Sequence, residues 1–271
     1  MYVRAAGKTD IGLQRQRNED NLLLAPDLGL YVIADGVGGH RAGEVASRMA
    51  VDTIADYWRQ VRSNKPPAVL QRLDSTLPKA AQYLINSIAL TNLIIHEAQK
   101  TPQYHRMGST ISALLVERDC LWVADVGDSP IYLFEHGQFT QVSEEHSFAA
   151  AHKNLSLGDQ PESPSPLGKN ILTRALGLEA TVDVFITSLK PRTGSIVLMC
   201  SDGLTNYVAE PAIRAVLSAG AVPLERKVDM LIDEANRGGG GDNISVILLE
   251  ILAVSRWEKL TQKFTLPHHT T

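Results

Sequence analysis

The sequence predicts an α+β fold in which helices pack on antiparallel sheet, and three observations carry that reading. Short runs rich in Val, Ile, Leu and Tyr, each bounded by Gly, Asp or Pro, read as strands. Longer stretches place apolar residues at helical spacing. The two kinds of segment come in clusters and do not alternate as a βαβ chain would, which argues against a doubly wound parallel sheet.

In chain order, NLLLAP and GLYVIAD are the first strand candidates. A helix follows, starting near residues 42–44, because Ala46, Ala50, Ile54, Tyr57 and Val61 recur every three or four positions. Glu44 in its first turn suits the positive end of the helix dipole and needs no catalytic explanation. The polar stretch RSNKPPAVLQRLDS connects to a second helix on Leu77, Ala81, Leu84, Ile88 and Ile95, with Asp74, Ser75 and Thr76 as candidate caps. STISALLVE, CLWVADVGD and PIYLFEHG come next as strands. Turns in VERDCL and FEHGQF make their neighbours antiparallel. Residues 146–170, with Pro161, Pro164 and Pro166 among serines, lack periodicity and are expected to form a long exposed loop. VDVFITS and SIVLMCSDG are strands again. A third helix on Leu224, Val228, Leu231 and Ala235 opens at Pro223 and stops at the glycine run 238–241, and NISVILLEI is the last strand. Beyond Glu250 the pattern is lost and the tail is expected to fray. The chain therefore reads as one domain over residues 1–252 with a polar tail over 253–271.

Composition excludes several function classes. Twenty-six Lys and Arg against 30 Asp and Glu give a formal net charge of -4, so no global basic field recruits nucleic acid. No apolar run approaches the roughly 20 residues of a membrane span, and MYVRAAGKTD lacks the apolar segment of a secretory signal. A cytoplasmic protein without membrane attachment is the expectation. Cys120 and Cys200 lie in apolar stretches and read as packed, reduced thiols.

The chemistry lies in acids at strand ends. Apolar runs end in Asp35 and Asp202, each followed by Gly, and Asp128 follows a Gly in VGDSP. Glu19 and Asp20 stand in RNED, and Asp242 in GGGGDNISV. A single Asp-Gly merely marks a turn. Repeated strand-end acids can instead converge at one sheet edge, where they would raise one another's pKa unless a cation held them ionised. Oxygen ligands without cysteines select Mg²⁺, Mn²⁺ or Ca²⁺ over Zn²⁺. Glycine suits such a site, because without a Cβ its backbone carbonyl can approach a metal closely.

TDIGLQRQRNED, VIADGVGGHRAGE, MGSTISALLV, ADVGDSPIYLF, LTRALG, LMCSDGLTN and GGGGDNISVILLE, in this order, resemble the motif series of bacterial serine/threonine phosphatases of the metal-dependent protein phosphatase 2C family. The resemblance runs from about Arg4 to Glu250. It implies a four-layer αββα sandwich, two antiparallel sheets between helical layers, with a flap loop over about 145–176. It also implies two Mn²⁺ or Mg²⁺ ions, bridged by Asp35 and the Gly36 carbonyl. Asp202 and Asp242 would complete one ion, and Glu19 and Asp20 would serve the other, partly through water. Asp128, with Asp202, matches the position that holds a third, weaker ion, and Asn243 looks like support behind the ligands. Arg15 matches the phosphate-binding arginine in the pattern GxxRxxNED, which begins here at Gly12; Arg17 is its nearby competitor.

Two ions sharing a water supply a nucleophile without any side-chain nucleophile, consistent with the lack of a GxSxG motif. Ser109 and Thr110 then read as hydrogen-bonding strand residues. Cleavage of a phosphomonoester expels an alkoxide, so a general acid near neutral pKa is useful. His40, five residues after Asp35 across two glycines, is the candidate. The expected activity is hydrolysis of phosphoserine and phosphothreonine in proteins by a monomer opposing a Ser/Thr kinase. The alternatives are a catalytically silent phosphoprotein-binding module on the same fold and a metal-dependent hydrolase of small phosphoesters or nucleotides. Pro130 stands where relatives commonly read Arg after GDS, and is expected to alter the following strand.

Overall fold

The computed structural model describes residues 1–38, 42–70, 74–144 and 174–253. Its strands are β1 (Tyr2–Asp10), β2 (Asp20–Ala25), β3 (Leu30–Val37), β4 (Gly108–Ser109), β5 (Ile111–Glu117), β6 (Cys120–Val126), β7 (Ile131–Glu135), β8 (Gln138–Gln141), β9 (Phe185–Leu189), β10 (Ile196–Cys200) and β11 (Ile244–Leu252). The helices are α1 (Ala42–Arg62), α2 (Lys79–Ala98), α3 (Asp202–Thr205), α4 (Glu210–Ser218) and α5 (Leu224–Arg237). One sheet runs β1-β11-β10-β7-β8. The other runs β2-β3-β5-β6-β9, with β4 pairing onto the end of β3, and every pairing in both sheets is antiparallel.

Strand alternation divides the core into three layers. In β3, Tyr31 and Ile33 face the other sheet, whereas Leu30, Val32 and Ala34 face α1 and α2. In β10, Val197 and Met199 pack between the sheets, whereas Ile196, Leu198 and Cys200 pack under α3, α4 and α5. Because both faces of these strands are buried, they read in the sequence as unbroken apolar runs. The helices supply the outer layers: Ala46, Ala50, Ile54 and Tyr57 of α1 on one side, Val228, Leu231 and Ala235 of α5 on the other. The result is the expected αββα order of layers.

Four local differences from the sequence reading have physical causes. β1 was not among the strand candidates: it is a charged edge strand, with Arg4 reaching Glu250 at 2.6 Å and Lys8 reaching Asp229 at 2.8 Å, and it pairs with β11 along all nine residues. Helix α4, nine residues long, buries only Ile213, Val216 and Leu217, too short a signal to stand out. Asp74 does not cap α2; its carboxylate accepts from the amide and hydroxyl of Thr76, and the helix opens after Pro78 with no side-chain cap. STISALLVE is broken at Thr110, which separates β4 from β5. Pro130 lies just before β7, where a strand tolerates a missing N–H, and its carbonyl accepts the amide of Cys200 at 3.2 Å. The expected flap falls outside the described residues except for 174–176, as does the tail beyond 253. Among the described residues no helix is long and apolar enough to cross a membrane.

Candidate active site

The strand-end acids meet at one end of the cleft between the two sheets. Asp20 opens β2 directly opposite Asp35 of β3. Asp202, first residue of α3, and Asp242, just before β11, come from the other sheet. The Asp202 and Asp35 carboxylates stand within hydrogen-bond reach of each other, an arrangement that requires a shared proton or a cation. Asp128, half-buried after β6, adds its charge to the field at Asp35.

Each acid is held by its neighbours. The Asp35 amide donates to Thr110 Oγ1 at 2.9 Å, and its carbonyl accepts from the Thr110 amide at 2.8 Å and Ser109 Oγ at 3.1 Å. Ser201 Oγ donates to Asp20 Oδ2 at 2.7 Å, and among the described residues Asp20 Oδ1 is buried without a hydrogen-bond partner. Asn206 Nδ2 donates to Asp202 Oδ2 at 2.9 Å. Arg15 Nη2 lies 2.8 Å from Asp242 Oδ2, its side chain half-exposed. Asn243, buried, accepts the Glu19 amide at 2.8 Å on its Oδ1 and donates from Nδ2 to the carbonyls of Ile11 and Arg17, both at 2.9 Å. It therefore ties the 11–19 loop to the start of β11. The same loop is fastened by the amides of Leu13 and Gln14, which both donate to the Gly240 carbonyl, at 2.8 and 3.2 Å. Gly240 takes a left-handed backbone (φ 52°) to present it. Arg17, the competitor, points instead to Glu44 at 4.0 Å.

Burial and mutual repulsion push these carboxyls upward. Asp20 rises to about 7, through burial first and then Asp202 and Asp242, against the opposing hydrogen bonds of Ser201 and Ser245. Asp35 rises well above the usual carboxylate range through burial and the charges of Asp20, Asp202, Asp128 and Asp242. Glu19 and Asp202 also rise, again mainly through burial. Asp20 and Asp35 are raised in part by the charges of Asp202 and Asp242, an electrostatic arrangement that a divalent cation would relieve.

The donor set fits a hard cation. Glu19 Oε2 and the Gly36 carbonyl oxygen face one point, 2.6 and 2.8 Å from where a Cβ on Gly43 would stand. A Cβ on Gly36 would in turn lie 2.1 Å from the Gly43 carbonyl. The two glycines thus let β3 and α1 meet closely enough to turn both oxygens to the same place. Among the described residues no three carboxylate, imidazole or thiol groups converge tightly enough to hold an ion by themselves. Mg²⁺ asks for less, since it keeps several waters and takes one or two carboxylates.

Asp35, Gly36, Glu19, Asp20, Asp202, Asp242, Asn243 and Arg15 are thus brought together, with Asp128 beside them; His40 lies outside the described residues. Gly43, Thr110 and Ser201 were not singled out for this site by sequence reasoning. Their partners are on other strands or helices, and a lone hydroxyl or glycine carries no sequence mark of a distant partner. Ser109 in β4 and Thr110 between β4 and β5 are hydrogen-bonding residues, as expected, although Thr110 itself lies outside both strands.

Comparison with known proteins agrees with this geometry. A family model described as Protein phosphatase 2C matches residues 14–231. The serine/threonine phosphatase stp of Listeria innocua is 34% identical over 253 residues, covering 92% of this chain and 96% of its own. The solved serine/threonine phosphatase of S. agalactiae superposes with a TM-score of 0.80 at 31% identity, covering 92% of this chain and 100% of that one. The catalytic domain of the phosphatase PstP, solved in complex with 2 manganese ions, gives a TM-score of 0.75 at 29% identity, covering 93% of this chain and 99% of that one. By sequence and by fold, the chain belongs to the protein phosphatase 2C family.

Proposed function

We propose that this protein serine/threonine phosphatase hydrolyses phosphoserine and phosphothreonine esters at the cleft end, with two Mn²⁺ or Mg²⁺ ions held there. The observation that carries the site assignment is the convergence of Asp20 and Asp35 from one sheet with Asp202 and Asp242 from the other. Asp35 and the Gly36 carbonyl would serve both ions, Asp202 and Asp242 one of them, Glu19 and Asp20 the other; Asp128 would hold a third, weaker ion. Such ions supply Lewis-acid polarisation of the phosphoryl oxygens and a lowered pKa for the attacking water.

The protein's own groups position and neutralise. Arg15, held by Asp242 and by the Gly241 carbonyl, which accepts from its Nε at 3.4 Å, offers its remaining N–H groups to the phosphoryl oxygens. Asn243 and Ser201 fix Glu19 and Asp20 without competing for the phosphate. His40 is assigned the proton that the departing Ser or Thr oxygen needs. The substrates are phosphorylated proteins, the opposing partner a Ser/Thr kinase, and the working form a cytoplasmic monomer. The silent binding module finds no support among relatives named as phosphatases.

The test is phosphate release from a phosphothreonine peptide with Mn²⁺, with excess chelator, and in Asp202→Asn. Release that needs the metal and falls at least a hundredfold in the variant is expected, on the order of an electrostatic group's worth in catalysis. Full activity in Asp202→Asn with metal present would overturn the assignment.

A further inference from the structure

We infer that Leu178 and Val37 form an apolar ledge that selects phosphoprotein substrates carrying an apolar residue beside the phosphorylated one. This rests on the proposed phosphatase site and adds a specificity determinant to it. Val37 is two residues beyond Asp35 on β3, and alternation puts both side chains on the same face of the strand. Gly108 of β4 pairs with Val37. Two methyl carbons converge on the space its missing side chain leaves: Val37 Cγ2 is 3.2 Å, and Leu178 Cδ2 3.7 Å, from where a Cβ on Gly108 would stand. An apolar surface thus begins one side chain away from the acid proposed to bridge the metals.

Leu178 is also half-exposed, at 50%, while its backbone is firmly held. The Gly177 amide donates to Asn92 Oδ1 at 2.8 Å, and its carbonyl accepts from Gln99 Nε2 and lies 3.0 Å from His96 Nδ1. Asn92 Nδ2 donates to the Glu179 carbonyl at 3.0 Å. Leu176 exchanges both backbone hydrogen bonds with Ser109, whose hydroxyl reaches the Asp35 carbonyl. Asn92 and His96 of α2 and Gln99 at its C-terminal cap therefore anchor the residues on either side of a leucine that itself faces solvent. A frayed leucine would be exposed by disorder; this one is presented in a fixed position, which lowers the ordering cost of a contact with substrate. With the phosphoryl group at the cleft end, as proposed, a residue flanking the phosphothreonine has this ledge within its reach, because Val37 stands only two residues beyond Asp35 on the same strand.

The test compares two phosphothreonine peptides that differ only in the flanking residue, Leu or Ser, with p-nitrophenyl phosphate as a substrate too small to reach the ledge. The wild type is expected to prefer the Leu peptide in kcat/KM by about fivefold, at the low end for a partly exposed apolar contact. Leu178→Ser should bring the two peptides to equality and leave p-nitrophenyl phosphate and the melting temperature unchanged. Equal use of both peptides by the wild type, or a preference that survives in Leu178→Ser, would overturn the inference. Absence of phosphate release from every substrate in the Mn²⁺-loaded wild type would instead defeat the phosphatase reading beneath it.

Discussion

In the absence of metal the protein's stability should depend on pH, with Asp20 as one reporter and Asp35, raised well above the usual carboxylate range by burial and its acidic neighbours, contributing a slope of the same sign. In the fold without cations the Asp20 carboxyl rises from the usual 3.8 to about 7. Between those values the folded state holds a proton that the unfolded chain has released, so stability is full below pH 3.8 and is lost as pH rises to 7. The total is about 4 kcal/mol, of which about 2.5 kcal/mol falls between pH 5 and 8. The Asp20→Asn variant has no proton to lose there. Its amide keeps an oxygen for Ser201 and turns an N–H group toward the neighbouring carboxylates. Asp125 contributes a slope of the same sign, because burial raises it to about 8 while the Glu144 amide only partly offsets the burial. It is not a proposed ligand, so Mn²⁺ should leave its part in place. The assay is urea unfolding followed by tryptophan fluorescence, in chelator and in Mn²⁺, at pH 5 and 8. Chelated wild type should lose clearly more stability than chelated Asp20→Asn over that interval, and Mn²⁺ at pH 8 should rescue the wild type far more than the variant. Equal stability of the chelated wild type at both pH values, or identical slopes for the two proteins, would refute the reasoning.

Gly36→Ala should abolish activity and cost more than about 2 kcal/mol in stability, because its Cβ would lie 2.1 Å from the Gly43 carbonyl and 2.8 Å from that of Glu19. A thermal melt with an activity assay checks this, and an active, stable variant would contradict the packing. Arg15→Lys keeps the charge but loses the planar fork, so KM for a phosphopeptide should rise about tenfold with a smaller change in kcat. Steady-state kinetics with unchanged kcat/KM would remove Arg15 from the phosphate site.

What the sequence made legible follows from what leaves a local mark. The buried strands announced themselves because both their faces are apolar, and α1 and α5 because one face is. β1 did not, since an edge strand carrying Arg4 and Lys8 resembles a polar terminus until β11 is seen to pair with it. The acids were legible because Asp35 and Asp202 each end an apolar run before a glycine. The Asp-Gly pattern names the residues but not the distances. That Asp202 reaches Asp35 across the sheets, or that Gly43 clears space for both Glu19 and Gly36, depends on packing between segments far apart in the chain. The same holds for Leu178, which follows the least patterned stretch of the sequence and gains its meaning only from Gly108 and Asn92.

The division of the site between two sheets has a mechanical consequence. The shared core of Ile33, Val123, Val197 and Ile247 holds the sheets together by apolar burial. At the cleft end the contribution is electrostatic. Asp35, paired with Asp20 on one sheet, meets Asp202 from the other, and without a cation the two carboxyls stay within hydrogen-bond reach by sharing a proton. A cation of the kind proposed would take the place of that proton and link the two sheets at this end. If ions are held there as proposed, they would also set the spacing of Arg15 and Asp242, on the loops of one side, from Val37 and Leu178 on the other. Substrate geometry and metal occupancy are then one variable, which is why a ligand substitution should alter peptide selectivity together with turnover, whereas a change at Leu178 should alter selectivity alone.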